Sequence, residues 1–322
     1  MTATRPREQD SDIDFLILPI VFVFVLGFTF FLVWWAHEAE RDRSAMVGLY
    51  LMLGAPGFLL FIAGLAVTTR NGFSGMGPTL LATGFGLLIP TIHPLRLLAA
   101  RVCGFDPKDP VHILGSGVFL GGLGFLGAQL IDAPEPGSVE GFSTAAIILQ
   151  ALFFVGMALI CVGYKIDRTW PEVEARLGLV KVTAEGMKWA VITVCAGFVI
   201  GIVANVLTQA TNATYKEEID NSIDILTGTA PSWIAAPLIG LSAGIGEELL
   251  FRGAIQPRYG IIPTALLFAL LHNQYGFSFV TLGTFGLGCA FGLLAKRYGT
   301  THAIIAHTLY NTIAVLLSTA AK

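Results

Sequence analysis

The last third of the chain places six polar side chains inside segments that are otherwise apolar: Glu247, Glu248, Arg252, His272, His307 and Asn311. A carboxylate beside an imidazole can hold a water and take its proton while the water attacks a carbonyl carbon. A second imidazole N–H and an amide NH2 can then donate hydrogen bonds to the oxyanion of the tetrahedral intermediate. No Ser or Cys nucleophile with a neighbouring base is evident, so these residue types predict hydrolysis of a peptide bond by an activated water.

The spacing of these residues predicts that they meet. Glu248 and Arg252 are four apart, which puts them on one helical face as an ion pair, and His307 and Asn311 are also four apart. At 1.5 Å per residue, each of these groups lies roughly 9 to 16 Å from the end of its segment that faces one common side of the bundle. The groups are the acidic pair, His272 and the His307–Asn311 pair. Three helices should therefore present carboxylate, imidazole and amide groups at one depth.

The same side chains could instead bind a metal ion. Two carboxylates and two imidazoles suit zinc, and the ligands would be Glu247, Glu248, His272 and His307. The chain has no His-Glu-x-x-His helix, the usual arrangement in zinc proteases. We therefore expect no cofactor, with zinc as the alternative.

The composition indicates that a membrane-embedded fold positions these residues. Of 322 residues, 54% are hydrophobic and only 13% are charged, and the mean hydropathy is +0.73. Such values are typical of a polytopic membrane protein, so the fold class is an all-α transmembrane helix bundle. The net charge of -3 excludes a basic surface for nucleic acid. We expect the partners to be the lipid bilayer and a membrane-associated substrate.

About ten apolar segments are long enough to be considered as spans: 15–36, 46–68, 78–92, 111–131, 143–163, 187–210, 231–256, 261–276, 277–295 and 301–319. The loops after odd-numbered spans contain twelve Lys and Arg residues, and the loops after even-numbered spans contain only Arg70 and Lys216. The positive-inside rule then places both termini outside and the polar residues towards the cytoplasm. Compact loops and the lack of a targeting signal favour a prokaryotic plasma membrane.

The distribution of ionisable residues divides the chain into two predicted regions. Residues 1–186 form a membrane region of about five spans with no ionisable group near the middle of a span, and the sequence indicates no role for it. Residues 187–322 form the catalytic membrane domain, with a C-terminal four-span core and the motifs within 230–319. Charged groups in hydrocarbon are costly, so they mark a functional site by default.

Three motifs follow one another on separate segments: Glu247-Glu248-x-x-x-Arg252, Phe268-x-x-x-His272 and His307-x-x-x-Asn311. In this order they resemble the three motifs of the CAAX protease and bacteriocin-processing (CPBP) family, which includes the Ras-converting CAAX prenyl endopeptidases. The resemblance covers about residues 230–319. It implies an intramembrane endopeptidase that cleaves a lipidated or membrane-associated peptide or protein.

The resemblance also implies roles for single residues. Glu247 resembles the base that activates water together with His272, and His307 and Asn311 resemble the oxyanion donors. Glu248 belongs to the same catalytic set and orients it. Two further residues give structural support: Arg252, which pairs with Glu248, and Phe268, which packs beneath the site. Family members are often labelled metalloendopeptidases, but a metal-free glutamate mechanism fits the motifs better.

Two other function classes remain open from the sequence. A membrane transporter or proton-coupled carrier also uses buried Glu, His and Arg side chains. Against a carrier, the ionisable residues are confined to the last four predicted spans, and no inverted pair of broken helices is visible. A non-catalytic scaffold or immunity protein could retain the motifs, although none of the motif residues is substituted.

Overall fold

The computed structural model describes residues 8–130, 144–214, 216–217, 220 and 232–320. These ranges are almost entirely helical and contain no β-strand, which confirms the all-α class. The N-terminal helices are α1 Glu8–Glu38, α2 Arg43–Asn71, α3 Met76–Leu88, α4 His93–Cys103, α5 Pro110–Gln129 and α6 Thr144–Cys161. The C-terminal helices are α7 Trp170–Arg176, α8 Ala184–Thr211, α9 Ser232–Glu248, α10 Gln256–Tyr259, α11 Ile261–Leu270, α12 Phe279–Tyr298 and α13 Thr300–Ala320.

Seven helical stretches in the described ranges are long and apolar enough to cross a membrane, not ten. They are Ile17–Glu38, Arg43–Asn71, Pro110–Gln129, Ala184–Thr211, Trp233–Tyr259, Phe279–Tyr298 and Thr300–Ala320. The predicted segments 143–163 and 261–276 form shorter apolar helices, Ala145–Cys161 and Ile261–Leu270. The exact number of crossings and the four-span core therefore remain predictions.

The predicted span 78–92 is one arm of a bent element. After α3 the chain forms a 3-10 turn, Ile89–Thr91, and α4 then leaves at 96°. Pro90 and Pro94 explain the break, because proline lacks the N–H that continues a helix and restricts the residue before it.

Two glycine turns set the order of the site helices. Gly260, with φ 83°, separates α10 from α11, and Gly299, with φ 90°, separates α12 from α13. Residues with a side chain rarely adopt such positive φ values, so glycine permits these abrupt reversals. The turns bring α9, α11 and α13, which carry the three motifs, into one bundle.

Helices α9 and α13 pack unusually closely because α9 presents glycines to α13. A Cβ atom added at Gly240 would lie 2.6 Å from the carbonyl oxygen of Thr308. A Cβ atom added at Gly244 would lie 2.9 Å from the carbonyl oxygen of Ile304. Such contacts are shorter than side chains tolerate, so the absence of a side chain lets the two backbones approach.

The helix that carries the acidic pair changes its geometry immediately after it. α9 continues as a π-helix over Leu249–Ile255 and then as α10. Pro257 has no N–H to donate to the carbonyl oxygen of Gly253, four residues earlier. Arg176, at the end of α7, donates instead from its guanidinium nitrogens to Gly253 O at 2.9 Å and Ala254 O at 3.2 Å.

The segment that contains α7 therefore supports the acidic pair, Glu247 and Glu248. Helix α7 starts with a capping box, in which the Glu172 carboxylate accepts from the Thr169 N–H at 2.7 Å. This hydrogen bond and that from the Thr169 hydroxyl lower the pKa of Glu172. Val173 is fully buried in the cluster that also contains Phe251 of the π-helix and Phe268 of α11.

Candidate active site

A cavity of about 440 Å³ lies between α6, α8, α9, α12, α13 and the turn after α11. Four of the five residues predicted as catalytic line it: Glu247, His272, His307 and Asn311. They come from three segments separated in sequence, as the depth of each residue predicted. A cavity of this size with few polar groups on an apolar wall is typical of a ligand or active site.

Glu247 provides the carboxylate at the cavity wall. It lies in the last turn of α9 and is partly exposed. Its Oε2 atom is buried and has no hydrogen-bond partner in the described part of the protein. A buried acceptor without a partner is rare and needs a functional or structural reason. Because Glu247 lines the cavity, a small rotation of its carboxylate would let this oxygen accept a hydrogen bond from a molecule there.

Glu248 is placed differently from its neighbour, although the sequence assigned both to the catalytic set. Its side chain is fully buried and is not among the cavity-lining residues. Its Oε1 lies 2.9 Å from Nδ1 of His307, and its Oε2 lies 3.2 Å from Nε of Arg252. Glu248 thus joins α9 to α13 from behind the cavity instead of contacting its contents.

Arg252 completes this buried arrangement as the sequence predicted. Its side chain is fully buried beside Glu248, and its guanidinium carbon lies 4.7 Å from the centre of the Phe268 ring and 5.8 Å from that of Phe251. A cation over an aromatic face is favourable, particularly where water is excluded. Phe268 packs beneath the site and also lines the cavity.

His272 lies outside its helix, which corrects the expected continuous segment 261–276. Helix α11 ends at Leu270, and the His272 N–H bonds to Ala269 O in a 3-10 turn. The Phe268 carbonyl thereby loses its helical donor, and the His272 side chain replaces it through Nδ1 at 2.9 Å. Because a carbonyl only accepts, Nδ1 carries the proton, and Nε2 of the neutral ring has a free lone pair.

His307 and Asn311 form a second polar unit, on α13. The His307 ring stacks on Phe291 with 4.7 Å between centres, and its Nε2 lies 3.2 Å from Nδ2 of Asn311. Because the Glu248 carboxylate accepts from Nδ1, neutral His307 has a lone pair on Nε2 and accepts a hydrogen bond from the Asn311 amide. The second amide hydrogen of Asn311 then remains as a donor.

One wall of the cavity was missed from the sequence. Helix α6, from the predicted region of unknown role, contributes Ile147, Gln150, Ala151 and Phe154 to the lining. A hydrogen bond of 2.8 Å from Ser242 Oγ to Ile147 O connects α9 to α6. Gln150, a polar residue within an apolar run, is the sequence feature that could have indicated this contribution.

The side chains do not fit the four-ligand zinc alternative. In the ranges that the structure covers, no three His, Cys, Asp or Glu side chains are arranged to hold a metal ion. Glu248, one of the four proposed ligands, is instead committed to His307 and Arg252.

Comparison with known proteins supports the family resemblance. Residues 229–313 match the family model described as type II CAAX prenyl endopeptidase Rce1-like, and this segment contains all three motifs. The match confirms the predicted resemblance and is consistent with the CPBP family. Neither the curated proteins nor the solved structures gave a match. The apolar helices indicate an integral membrane protein, and the match over residues 229–313 is a similarity to CAAX-type endopeptidases at the level of the family.

Proposed function

We propose that the protein is an intramembrane endopeptidase that hydrolyses a peptide bond in a lipidated or membrane-associated peptide or protein, using water activated by Glu247 and His272. One observation carries the proposal. A carboxylate with an unpartnered oxygen, two imidazoles and an amide line a single cavity, although they come from three separate apolar segments. Membrane proteins rarely bury such groups without a use for them.

The attacking water would bind between the two free acceptors of the cavity wall. Glu247 Oε2 and Nε2 of neutral His272 each accept one of its hydrogens, which aims an oxygen lone pair at the substrate carbonyl carbon. As the C–O bond forms, Glu247 takes the proton. It then donates this proton to the leaving amine nitrogen as the C–N bond breaks. The products are a carboxylic acid and an amine, which become a carboxylate and an ammonium ion when the acid proton passes to the amine, and Glu247 is ready for another cycle.

The oxyanion formed in this step would be stabilised from α13. The free amide hydrogen of Asn311 donates to it, while Nε2 of His307 accepts the other amide hydrogen and so fixes the orientation of this donor. Glu248 fixes the orientation of the His307 ring through Nδ1, and Arg252 balances the charge of Glu248. Glu248 and Arg252 are therefore positioning residues, whereas Glu247, His272 and Asn311 contact the reacting groups.

The cavity wall indicates an apolar substrate. Besides the site residues and other polar side chains such as Asn205 and Gln274, the lining includes Ile239 of α9, Val280 and Leu287 of α12, and Val315 of α13. Such a wall suits apolar side chains or a lipid chain near the scissile bond. The charge pattern of the loops supports a cytoplasmic orientation of the site in a prokaryotic plasma membrane.

Cleavage of a farnesylated CAAX peptide and of an apolar, unprenylated peptide by the purified protein in liposomes tests the function. We expect cleavage of at least one peptide, loss of this activity in Glu247→Gln, and full activity in Glu185→Gln, which alters a carboxylate outside the cavity. Activity that survives 1,10-phenanthroline supports the metal-free mechanism. Glu247-dependent proton or solute flux without cleavage contradicts the protease proposal and favours a carrier.

A further inference from the structure

A second cavity, of about 510 Å³, lies where α7, the π-helix, α10 and the turn between α12 and α13 meet. It shares no lining residue with the active-site cavity. Three cationic side chains line it, those of Arg176, Arg258 and Lys296; Arg252 also belongs to the wall, but its side chain is fully buried. No Asp or Glu is among the lining residues.

Most of this positive charge has no carboxylate partner. Arg252 pairs with Glu248, but Arg176, Arg258 and Lys296 form no ion pair within 4.0 Å among the residues that the structure describes. Burial, together with repulsion from Arg258 and Arg168, lowers the pKa of Arg176 to about 10. Like charges gathered in one cavity repel each other, and a bound anion would remove this repulsion.

The cavity also has unused hydrogen-bond donors and an open rim. The side chains of Arg258 and Lys296 form no hydrogen bond with the other residues that the structure describes, so their donors are available to a molecule in the cavity. The rim residues Pro257, Gly260 and Lys296 are exposed, whereas Gln256 in the floor is buried. An anion from outside can therefore reach the cationic lining.

We propose that this cavity binds a phosphate-type oxyanion, either free phosphate or the headgroup phosphate of an anionic lipid. Arginine donors arranged as a fork match the several acceptor oxygens of a tetrahedral anion, and lysine adds a point charge. The cavity lies at the ends of α10 and α12, on the side that the loop charges place in the cytoplasm. Basic pockets between membrane helices on that side are typical sites for anionic headgroups.

The test measures thermal unfolding by tryptophan fluorescence, with the full chain in nanodiscs. In one arm, phosphatidylcholine nanodiscs are titrated with inorganic phosphate against chloride at equal ionic strength. In the other arm, phosphatidylglycerol replaces increasing fractions of phosphatidylcholine in chloride. A ligand at free concentration c that binds only the folded protein stabilises it by RT ln(1 + c/Kd), so the rise of Tm with concentration gives an apparent Kd. A rise of Tm with phosphate identifies the free anion as the ligand, and a rise only with phosphatidylglycerol identifies the lipid headgroup.

Variants separate a built site from general charge effects. In Lys296→Gln/Arg258→Gln we expect the apparent Kd to rise about tenfold, as for the loss of roughly 1.4 kcal/mol of binding. Arg297→Gln is the matched control, because Arg297 neighbours Lys296 but lies against the Trp189 and Tyr298 rings and does not line the cavity. Lys296→Gln alone, at the exposed rim, repeats the comparison if the double variant does not fold. No rise of Tm in either arm, or equal apparent Kd values in the variant and the control, overturns the proposal.

Discussion

Replacing Glu248 by glutamine distinguishes the two adjacent glutamates most sharply. The substitution keeps the shape of the side chain and an oxygen that can accept from Nδ1 of His307. It removes the negative charge that lies 3.2 Å from Nε of Arg252. Arg252 is then left as a buried cation without a counter-charge.

The expected loss of stability follows from burial. Both side chains of the pair are 0% exposed, so solvent does not screen the lost interaction. Removing one partner of a buried ion pair typically costs about 3–5 kcal/mol, because the remaining charge stays desolvated. We expect the lower end of this range, about 3 kcal/mol, because glutamine retains the hydrogen bond to His307. Cleavage activity should fall with it, because the buried support behind the cavity is destabilised.

The assay is reversible unfolding of the purified protein in mixed micelles, followed by tryptophan fluorescence, for four proteins. They are the wild type, Glu248→Gln, Glu248→Gln/Arg252→Met and Glu247→Gln. The double variant should recover most of the lost stability, since replacing a buried pair by apolar groups is often nearly neutral. Glu247→Gln should unfold no earlier than the wild type, because its Oε2 has no partner to lose within the described residues. Equal losses for the two glutamates, or no recovery in the double variant, would refute this distinction.

Three further predictions concern the elements around the site. In Gly244→Ala the added Cβ would lie 2.9 Å from Ile304 O and closer still to Thr308 Oγ1, so α13 must shift, and we expect a loss of roughly 1–3 kcal/mol in stability and about tenfold in cleavage, with no loss in Gly27→Ala, which has open space. Arg176→Gln frees two carbonyl groups of the π-helix, and hydrogen exchange measured by mass spectrometry should show faster exchange there and a stability loss of about 1–3 kcal/mol. Ala314→Phe narrows the active-site cavity and should raise KM for the cleaved peptide. Ile313→Phe is next to it but outside the lining and should leave KM unchanged. Equal KM values for the two variants contradict the assignment of this cavity to substrate.

The sequence predicted the parts of the site that depend on helical periodicity. The four-residue spacings placed Glu248 beside Arg252 and His307 beside Asn311, and both pairs are in contact. The depth argument brought His272 to the same cavity as Glu247 even though His272 lies beyond the end of its helix. The helical class and the apolar segments also followed directly from composition and hydropathy.

The parts that were missed depend on contacts between segments far apart in sequence. No local pattern shows that Glu248 Oε1 bonds to His307, 59 residues away, or that Arg176 bonds to Gly253, 77 residues away. The local sequence explains the π-helix through Pro257. It does not show that Arg176 lies close enough to donate hydrogen bonds to the free carbonyl groups of the π-helix. The contribution of α6 to the cavity likewise arises from packing against α9.

Single-turnover cleavage by the purified protein in liposomes tests the central claim most directly. The rate of wild type is compared with those of Glu247→Gln and His272→Gln, using the same membrane-embedded peptide and after confirming that each variant unfolds like the wild type. We predict a rate loss of at least about 100-fold for each variant, as for removal of a general base. Cleavage at the wild-type rate in a folded Glu247→Gln protein would contradict the account.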